Sequence, residues 1–291
     1  MRVLITGSKG QLGSEIQELA SDYENLEFVF KDLPELDICD AETLTTIISD
    51  QHINAVINCA GYTAVDQAEE NSEIAEQVNV KGVLNLVNAL EKVDGKLIHI
   101  STDYVFDGNH SQPYKESDPV SPVGVYGETK RAGELAVLNS SIDAIVIRSS
   151  WLYSKYGNNF VKTMLRLGNE KKSIQVVSDQ KGTPTYAKDL AKMCLDILSD
   201  ASLTNLSNKG SLYHYSDEGV TSWYDFAAAI MEISNIDCKV IPIKTKDYPT
   251  QVRRPLYSVL DKSKIKSDFK VTIPHWRDSL ANCIKKINHN S

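Results

Sequence analysis

Val3-Leu4-Ile5-Thr6-Gly7-Ser8-Lys9-Gly10-Gln11-Leu12-Gly13 decides the fold. A short apolar, β-favouring run ends in a glycine triplet of the form GxxGxxG. From Gln11 onward the spacing turns helical, with Leu12, Ile16, Leu19 and Ala20 on one side. Strand, triplet and helix stand in the order that a dinucleotide-binding turn requires. A tight strand-to-helix turn needs residues without a Cβ. Bare backbone also lets a pyrophosphate reach the helix N-terminus, where unpaired N–H groups and the dipole bind anions. The triplet alone is weak, because 15 glycines make chance spacings common. Its position between strand and helix carries the reading.

The alternation continues outward. Residues 27–30 read as a second strand and 41–49 as a helix, with Asp40 placed to cap it. A third strand follows at 55–59, two helical stretches within 65–92, and a fourth strand at 96–101. A helix over 125–138 and a fifth strand at 144–147 complete this half. Near-continuous apolar strands alternating with helices predict a parallel sheet covered on both faces. The rhythm is lost after Trp151. Helical patches at 160–167, 187–198 and 223–233 are interrupted by strand-like runs at 174–177 and 240–243, and 205–210 is a polar loop. The expected fold is α/β, a Rossmann-type doubly wound parallel sheet with a smaller α/β C-terminal substrate-binding region. Residues 1–150 form the dinucleotide domain, to which some later segments return, and residues 151–291 form mainly the substrate region.

Composition narrows the function classes. In 291 residues, 42% hydrophobic and 24% charged, there is too much apolar content for a disordered chain. With 15 Gly and 9 Pro it is neither collagen-like nor low-complexity. A formal charge of −8 is a poor footprint for nucleic acid. No apolar run approaches the ~18 residues of a membrane span, and Met1-Arg2 leads straight into a strand rather than a signal sequence. The cysteines, Cys39, Cys59, Cys194, Cys238 and Cys283, form no CxxC pair and read as free thiols in a reducing cytoplasm. The expectation is a cytoplasmic protein with no nucleic-acid or membrane partner. The histidines show no ligand spacing, and His99 alternates with apolar neighbours as a core residue would. Trp223-Tyr224-Asp225-Phe226 reads as helical packing, and Lys171-Lys172 and Lys285-Lys286 as solvated faces.

Two ends of a site emerge. At the cofactor end, Gly7, Gly10, Gln11, Leu12 and Gly13 form the pyrophosphate turn. Asp32 follows the second strand, where an acid meets the adenosine ribose. An acid there favours NADH, since a 2′-phosphate would meet like charge, and the nearby Lys9 and Lys31 soften that preference. Asp37 and Ile38 are placed to flank the adenine. Cys59-Ala60-Gly61-Tyr62-Thr63 ends the third strand, where small residues admit a ligand to the crevice. At the reacting end, Tyr126-Gly127-Glu128-Thr129-Lys130 puts a phenol and an ammonium on one helix face. A nearby ammonium favours the phenolate, and a tyrosine so tuned exchanges a proton with a carbonyl or alcohol oxygen. Lys130 is also suited to hold a cofactor ribose hydroxyl. The fourth strand ends in Ser101-Thr102-Asp103, and register favours Thr102 over Ser101 as the hydroxyl that bonds the reacting carbonyl.

The triplet, the strand-four hydroxyl and YxxxK together resemble the extended short-chain dehydrogenase/reductase family. Longer stretches sharpen the resemblance toward its nucleotide-sugar reductases: Asn58 to Asp66, Ser101-Thr102-Asp103-Tyr104-Val105-Phe106, Arg148-Ser149-Ser150-Trp151-Leu152-Tyr153, Gly157-Asn158-Asn159-Phe160-Val161 and Arg253-Arg254-Pro255. The resemblance implies that NADH or NADPH reduces the 4-keto group of dTDP-6-deoxy-L-lyxo-4-hexulose to dTDP-L-rhamnose. It implies Tyr126 as proton donor, Lys130 as its tuner and Thr102 as the carbonyl's partner. It places Asp103, Phe106, Tyr126 and Trp151 at the sugar, and Asn158, Arg253 and Arg254 at the diphosphate, which needs forked donors. Related dehydratases carry Asp-Glu after the strand-four Thr. Here Asp103 is followed by Tyr104, so an elimination is not expected. Two alternatives stay open: a reductase or epimerase of another nucleotide sugar, and a non-catalytic NADP-binding regulatory subunit. Some family members bind magnesium through glutamates at a dimer interface, one on the first helix and one after a Pro-Thr element. Glu15 matches the first. After Pro184-Thr185 the chain reads Tyr186-Ala187-Lys188-Asp189, with a lysine at the second position. No metal is expected, and a monomer or weak homodimer is.

Overall fold

The computed structural model describes residues 1–200 and 211–289, so the polar loop expected at 205–210 lies outside the described residues. Strands β1 (Arg2–Thr6), β2 (Glu27–Phe30), β3 (Ala55–Asn58), β4 (Lys96–Thr102) and β5 (Asp143–Ser149) are joined by a sixth, Ser211–His214. They form one sheet in the order β2-β1-β3-β4-β5-(Ser211–His214), and every pairing is parallel. The chain winds outward from β1 to β2 and then crosses to β3, so strand order reverses between β1 and β3. Ligands of such sheets bind at that reversal, outside the carboxyl ends of the strands.

Both faces are covered, as continuous apolar strands demand. On one face Ile16 and Leu12 of the first helix (Gln11–Leu19) pack with Leu190 and Cys194 of the helix Ala187–Ser199, and with Ile265 and Phe269. On the other, Leu44, Ile48, Val83, Leu86, Val87 and Val137 close over the sheet. The helix Ala41–Asp50 begins where expected, because the Asp40 carboxylate accepts from the Glu42 and Thr43 N–H groups. The stretch 65–92 is more broken than its spacing predicts. It holds the helices Val65–Ala68, Ser72–Glu76 and Gly82–Glu91, with a π-helical turn at Gln77–Lys81 between the last two.

The smaller region rests on its own core. Val161, Met164, Phe226, Ile230, Trp276 and Leu280 pack together beneath the parallel pair Ser173–Val177 and Lys239–Ile243. The spacing predicts a helix over 160–167, which the structure carries on to Glu170. The helices Ser263–Phe269 and Trp276–His289 have no counterpart in the sequence expectation. All five cysteines are free, Cys39 and Cys59 being only half-buried.

One buried ion pair joins sheet and helix. Glu134 lies on the helix Val125–Leu138, which also carries Tyr126 and Lys130. Its carboxylate accepts from Arg148 Nε at 2.7 Å and Nη2 at 2.8 Å on β5, from Ser101 Oγ at 2.6 Å on β4, and from Arg131 Nη1 at 2.7 Å. Burial pushes Glu134 up, but the Arg148 guanidinium outweighs it and holds the carboxyl below its ordinary value. A fully buried pair is costly to break, because the surviving charge loses its partner. Glu134→Ala should therefore destabilise the fold by roughly 3–5 kcal/mol, lowering Tm on the order of 10 °C. Thermal melts of the variant check this, and an unchanged Tm would refute it.

Candidate active site

The glycine turn is as tight as its sequence demands. Gly7 has φ +60°, and a Cβ on it would stand 2.6 Å from the Ala60 nitrogen at the end of β3. A Cβ on Gly13 would stand 2.5 Å from the Gly7 carbonyl oxygen. Gly10 caps the first helix without a side-chain hydrogen bond, leaving its first N–H groups to other acceptors. Leu12 is buried in the core, while Gln11 Oε1 accepts from Asn159 Nδ2 at 3.0 Å.

Asp32 is engaged by the turn itself. Its Oδ2 accepts from the Lys9 N–H at 2.7 Å and its Oδ1 from the Leu33 N–H at 2.8 Å. The Lys9 ammonium pairs with Glu35 at 3.3 Å. Asp37 Oδ1 accepts from the Cys39 N–H at 2.9 Å. Ile38 turns into the core, where its Cδ1 would meet a Cβ on Gly82 at 2.7 Å. Its side chain is thus spent on packing, which differs from the expected place beside an adenine.

At the end of β3, Gly61 and Thr63 are exposed, and Cys59, Ala60 and Tyr62 are half-buried. The Asn79 side chain holds this segment, accepting from the Tyr62 N–H at 2.9 Å and donating to its carbonyl at 3.1 Å. Asn79 belongs to the π-helical turn, and such turns often mark functional places. A Cβ on Gly61 would sit 3.7 Å from Lys130 Nζ, so the lysine borders this segment.

Thr102, Asp103 and Tyr126 meet at the end of β4. Thr102 Oγ1 donates to Asp103 Oδ1 at 3.1 Å and accepts from the Tyr104 N–H at 3.2 Å. Ser101 points away, its hydroxyl committed to Glu134. Tyr126 stands edge-on to Tyr104, centroids 5.6 Å apart. The spacing predicts that Lys130 lowers the Tyr126 phenol. In the structure the phenol lies above its ordinary value because burial dominates; the Thr102 hydroxyl works against this and Asp103 adds to it. Lys130 donates to the Ile100 carbonyl at 2.6 Å, and burial lowers its ammonium to about 8, with Glu134 opposing. Low dielectric favours the neutral form of each partner, so burial drives the two values apart, the phenol up and the ammonium down. Asp103 is buried with Oδ2 unpartnered, and burial pushes its carboxyl to about 6.

A cavity of about 800 Å³ opens beside these groups, lined by Tyr104, Asp66, Arg254, Phe160, Trp223 and apolar residues of Ser173–Val177. Arg254 donates to the Asp66 carboxylate and to the Tyr104 hydroxyl. Arg253 is exposed and donates to Asn109 Oδ1 at 2.6 Å instead. Trp151 is half-buried and stacked on Trp223. Asn158 is exposed, and the contacts belong to its neighbour. Asn159 accepts from the Lys162 N–H to cap the helix Phe160–Glu170, and donates to Gln11. Phe106 is buried, stacked on Tyr114 at 4.1 Å with the Arg148 guanidinium 5.0 Å from its ring. It is a core residue here, away from the cavity lining. His99 is also in the core, held neutral by burial with Nδ1 3.1 Å from Asn58 Nδ2.

The whole run from residue 1 to 289 matches the family model described as the RmlD substrate binding domain. The chain belongs to this family. A dTDP-4-dehydrorhamnose reductase of Aggregatibacter actinomycetemcomitans is 41% identical over 97% of this chain and 97% of that protein. The crystal structure of a dTDP-4-dehydrorhamnose reductase from Clostridium acetobutylicum superposes with a TM-score of 0.93 at 38% identity, covering 99% of this chain and 100% of that one. That of the Bacillus anthracis dTDP-4-dehydrorhamnose reductase in complex with NADP gives 0.90 at 36%, covering 98% and 99%.

Within the RmlD family frame, the positions weighed for magnesium do not suit a divalent cation. Glu15 is buried; its Oε1 accepts from Ser154 Oγ at 2.6 Å, and burial pushes the carboxyl up. Lys188 turns to Glu18 at 3.3 Å, joined there by Lys155 at 2.5 Å and Lys286 at 3.8 Å. Asp189 accepts from Ser279 at 2.6 Å. Ammonium groups already neutralise the acid on this face. Among the described residues no three or more His, Cys, Asp or Glu gather as metal ligands.

Tyr104, Asp66, Asn79, Asn159 and Trp223 are the site residues that sequence spacing does not single out. Tyr104, Asp66 and Asn159 had a signal, since they lie in the stretches that carry the resemblance; Asn79 and Trp223 meet the site only through folding. Asp103 supplies a test. Its folded value of about 6 stands above the ordinary 3.8. Between these values the folded chain keeps a proton that the unfolded chain releases, so stability falls as pH rises through this window. Asp103→Asn removes that loss. It should be more stable than the wild type at pH 8, by up to about 3 kcal/mol, with the gap narrowing toward pH 5. Melts at both pH values decide it; an equal difference at both would count against the buried carboxyl.

Proposed function

We propose that this chain is an NAD(P)H-dependent ketoreductase, reducing the 4-keto group of dTDP-6-deoxy-L-lyxo-4-hexulose to dTDP-L-rhamnose, the last step of dTDP-rhamnose synthesis. The observation that carries the reading is the meeting of Thr102, Asp103 and Tyr126 at the end of β4, with Tyr104 in contact with both the phenol and the Arg254 cavity. The names borne by full-length relatives agree with it.

The bound dinucleotide supplies a hydride to the carbonyl carbon. The turn of Gly7, Gly10, Gln11, Leu12 and Gly13 receives the pyrophosphate, with Asp32, Asp37 and the Ile38 backbone on the adenosine side. Cys59 to Thr63 borders the nicotinamide half, and Lys130 holds a ribose hydroxyl. Thr102 donates a hydrogen bond to the carbonyl oxygen as charge builds there. Tyr126 then gives that oxygen its proton. A phenol held above its ordinary value enters the reaction protonated, as a donor must, and Lys130 and Thr102 stabilise the tyrosinate left behind. Asp103 and Trp151 orient the sugar, and Arg254, with Arg253 and Asn158 nearer solvent, meets the diphosphate. Either NADH or NADPH is taken, since both Asp32 oxygens are engaged by backbone N–H groups.

Residues 1–150 hold the dinucleotide, and 151–291 hold mainly the sugar nucleotide. The enzyme works without magnesium, as a cytoplasmic monomer or weak homodimer, with no nucleic-acid or membrane partner. Among the described residues no helix is long and apolar enough to cross a membrane.

Oxidation of NADH and NADPH with the keto-sugar generated in situ tests the reaction. Turnover to dTDP-rhamnose, unchanged by EDTA, is expected; activity lost in EDTA and restored by magnesium would overturn the metal-free reading. Tyr126→Phe should lower kcat by roughly 10²–10⁴-fold with dinucleotide affinity little changed, and a near-wild-type rate would remove Tyr126 as proton donor. Arg254→Ala should raise KM for the sugar nucleotide more than Arg253→Ala, because Arg254 lines the cavity; the reverse order would reassign the diphosphate contact.

A further inference from the structure

Trp151 follows β5 with φ +49°. A bulky residue rarely enters that left-handed region, and such strain persists only where the surroundings over-determine it, often at ligand sites. Three contacts fix it here. One face of the indole lies on Trp223, with centroids 3.6 Å apart and planes 13° from parallel. One edge lies on Gly182, where a Cβ would stand 2.6 Å from Cε2 and 2.7 Å from Cζ2 of the ring. The Trp151 carbonyl accepts from the Thr185 N–H at 3.2 Å.

Trp223 is itself braced. It opens the helix Trp223–Ile233, whose cap residue Ser222 accepts from the Asp225 N–H, and Phe160 leans on its ring at 4.6 Å. Gly182 is held in a short antiparallel pairing with Thr221. Elements from three separated parts of the chain thus fix one face and one edge of the indole. Trp151 is half-buried with Trp223 on one face, so only its other face is left to meet a ligand. An apolar, flat face of that kind suits the C–H side of a pyranose ring.

We propose that Trp223 and Gly182 are positioning residues, forming a slot that presents the Trp151 indole to the sugar of the substrate in one pose. The proposal rests on the reading of Trp151 as a sugar contact. Trp223 lines the cavity, but its role in positioning is to stack on Trp151, and Gly182 acts by having no side chain where the ring edge lies.

Steady-state kinetics with the keto-sugar nucleotide test it in Trp223→Ala, Trp223→Phe, Gly182→Ala, Trp151→Ala and the double variant Trp151→Ala/Trp223→Ala. Loss of one aromatic stack should raise KM about three- to tenfold, with kcat and dinucleotide affinity little changed. Gly182→Ala should raise KM likewise, and Trp223→Phe should keep most of the wild-type value. In the Trp151→Ala background, removing Trp223 should add nothing, since coupled positions are non-additive. A full-sized effect in that background, or an unchanged KM in Trp223→Ala, would overturn the proposal.

A wild type that does not turn over the keto-sugar would be a failure of the proposed reaction, and the stacked pair is then read by far-ultraviolet circular dichroism in the indole exciton band. The chain has three tryptophans. The exciton signal of stacked indoles should vanish in Trp151→Phe and in Trp223→Phe and survive in Trp276→Phe. A signal that survives both of the first two would overturn the stacked pair itself.

Discussion

The Glu134 carboxylate is the point on which the site's geometry depends. It lies one helical turn beyond Lys130 and two beyond Tyr126, so whatever holds Glu134 sets the depth and rotation of both. It is held by Arg148 from β5 and by Ser101 from β4, the residue before Thr102. Helix and strand are thereby tied together beside the residues that must meet. Arg148 extends the network outward, under Phe106 and to within 3.5 Å of His214 Nε2 on the sixth strand. A buried charge pair tolerates little displacement, because every ångström lost leaves a charge less compensated. A purely apolar contact would let the helix slide.

The burial that makes this pair rigid also tunes the site. Tyr126, Lys130 and Asp103 share one water-poor pocket, and each moves toward its neutral form. The phenol keeps its proton and the lysine holds its own less firmly. A helix bearing YxxxK on an exposed surface would have the same two groups without this effect. The smaller region adds the other wall. Its apolar core supports the cavity and the paired tryptophans, and Arg254 and Asp66 bridge it to the sheet through Tyr104.

Legibility followed the range of the interactions. The glycine turn, β1 to β5, the Asp40 cap and the helix Val125–Leu138 each carry a distinct pattern within a few residues, and each was readable from it, although the strands themselves pair over long range. The strand Ser211–His214 was not, because four residues carry too little pattern and its partner β5 lies more than 60 residues earlier. Ile38 and Phe106 were placed at the ligand by their motifs, yet each side chain completes a core whose other members come from elsewhere in the chain. Asn158 and Asn159 were indistinguishable by composition; only the start of the helix Phe160–Glu170 selects Asn159 as the cap.

By itself the sequence determined the parallel α/β sheet, and it set a glycine turn, a threonine, a tyrosine and a lysine at the carboxyl ends of its strands. Those follow from residue types at fixed short spacings, which any folded state of the chain must honour. Tertiary structure alone decided the protonation preferences of Tyr126, Lys130 and Asp103, the engagement of Asp32 by the Lys9 and Leu33 N–H groups, the gathering of Lys155, Lys188 and Lys286 around Glu18, and the pose of Trp151. The physical reason is common to all four. Desolvation, charge pairing and ring stacking depend on what surrounds a group in space, and those surroundings are assembled from segments far apart in the chain.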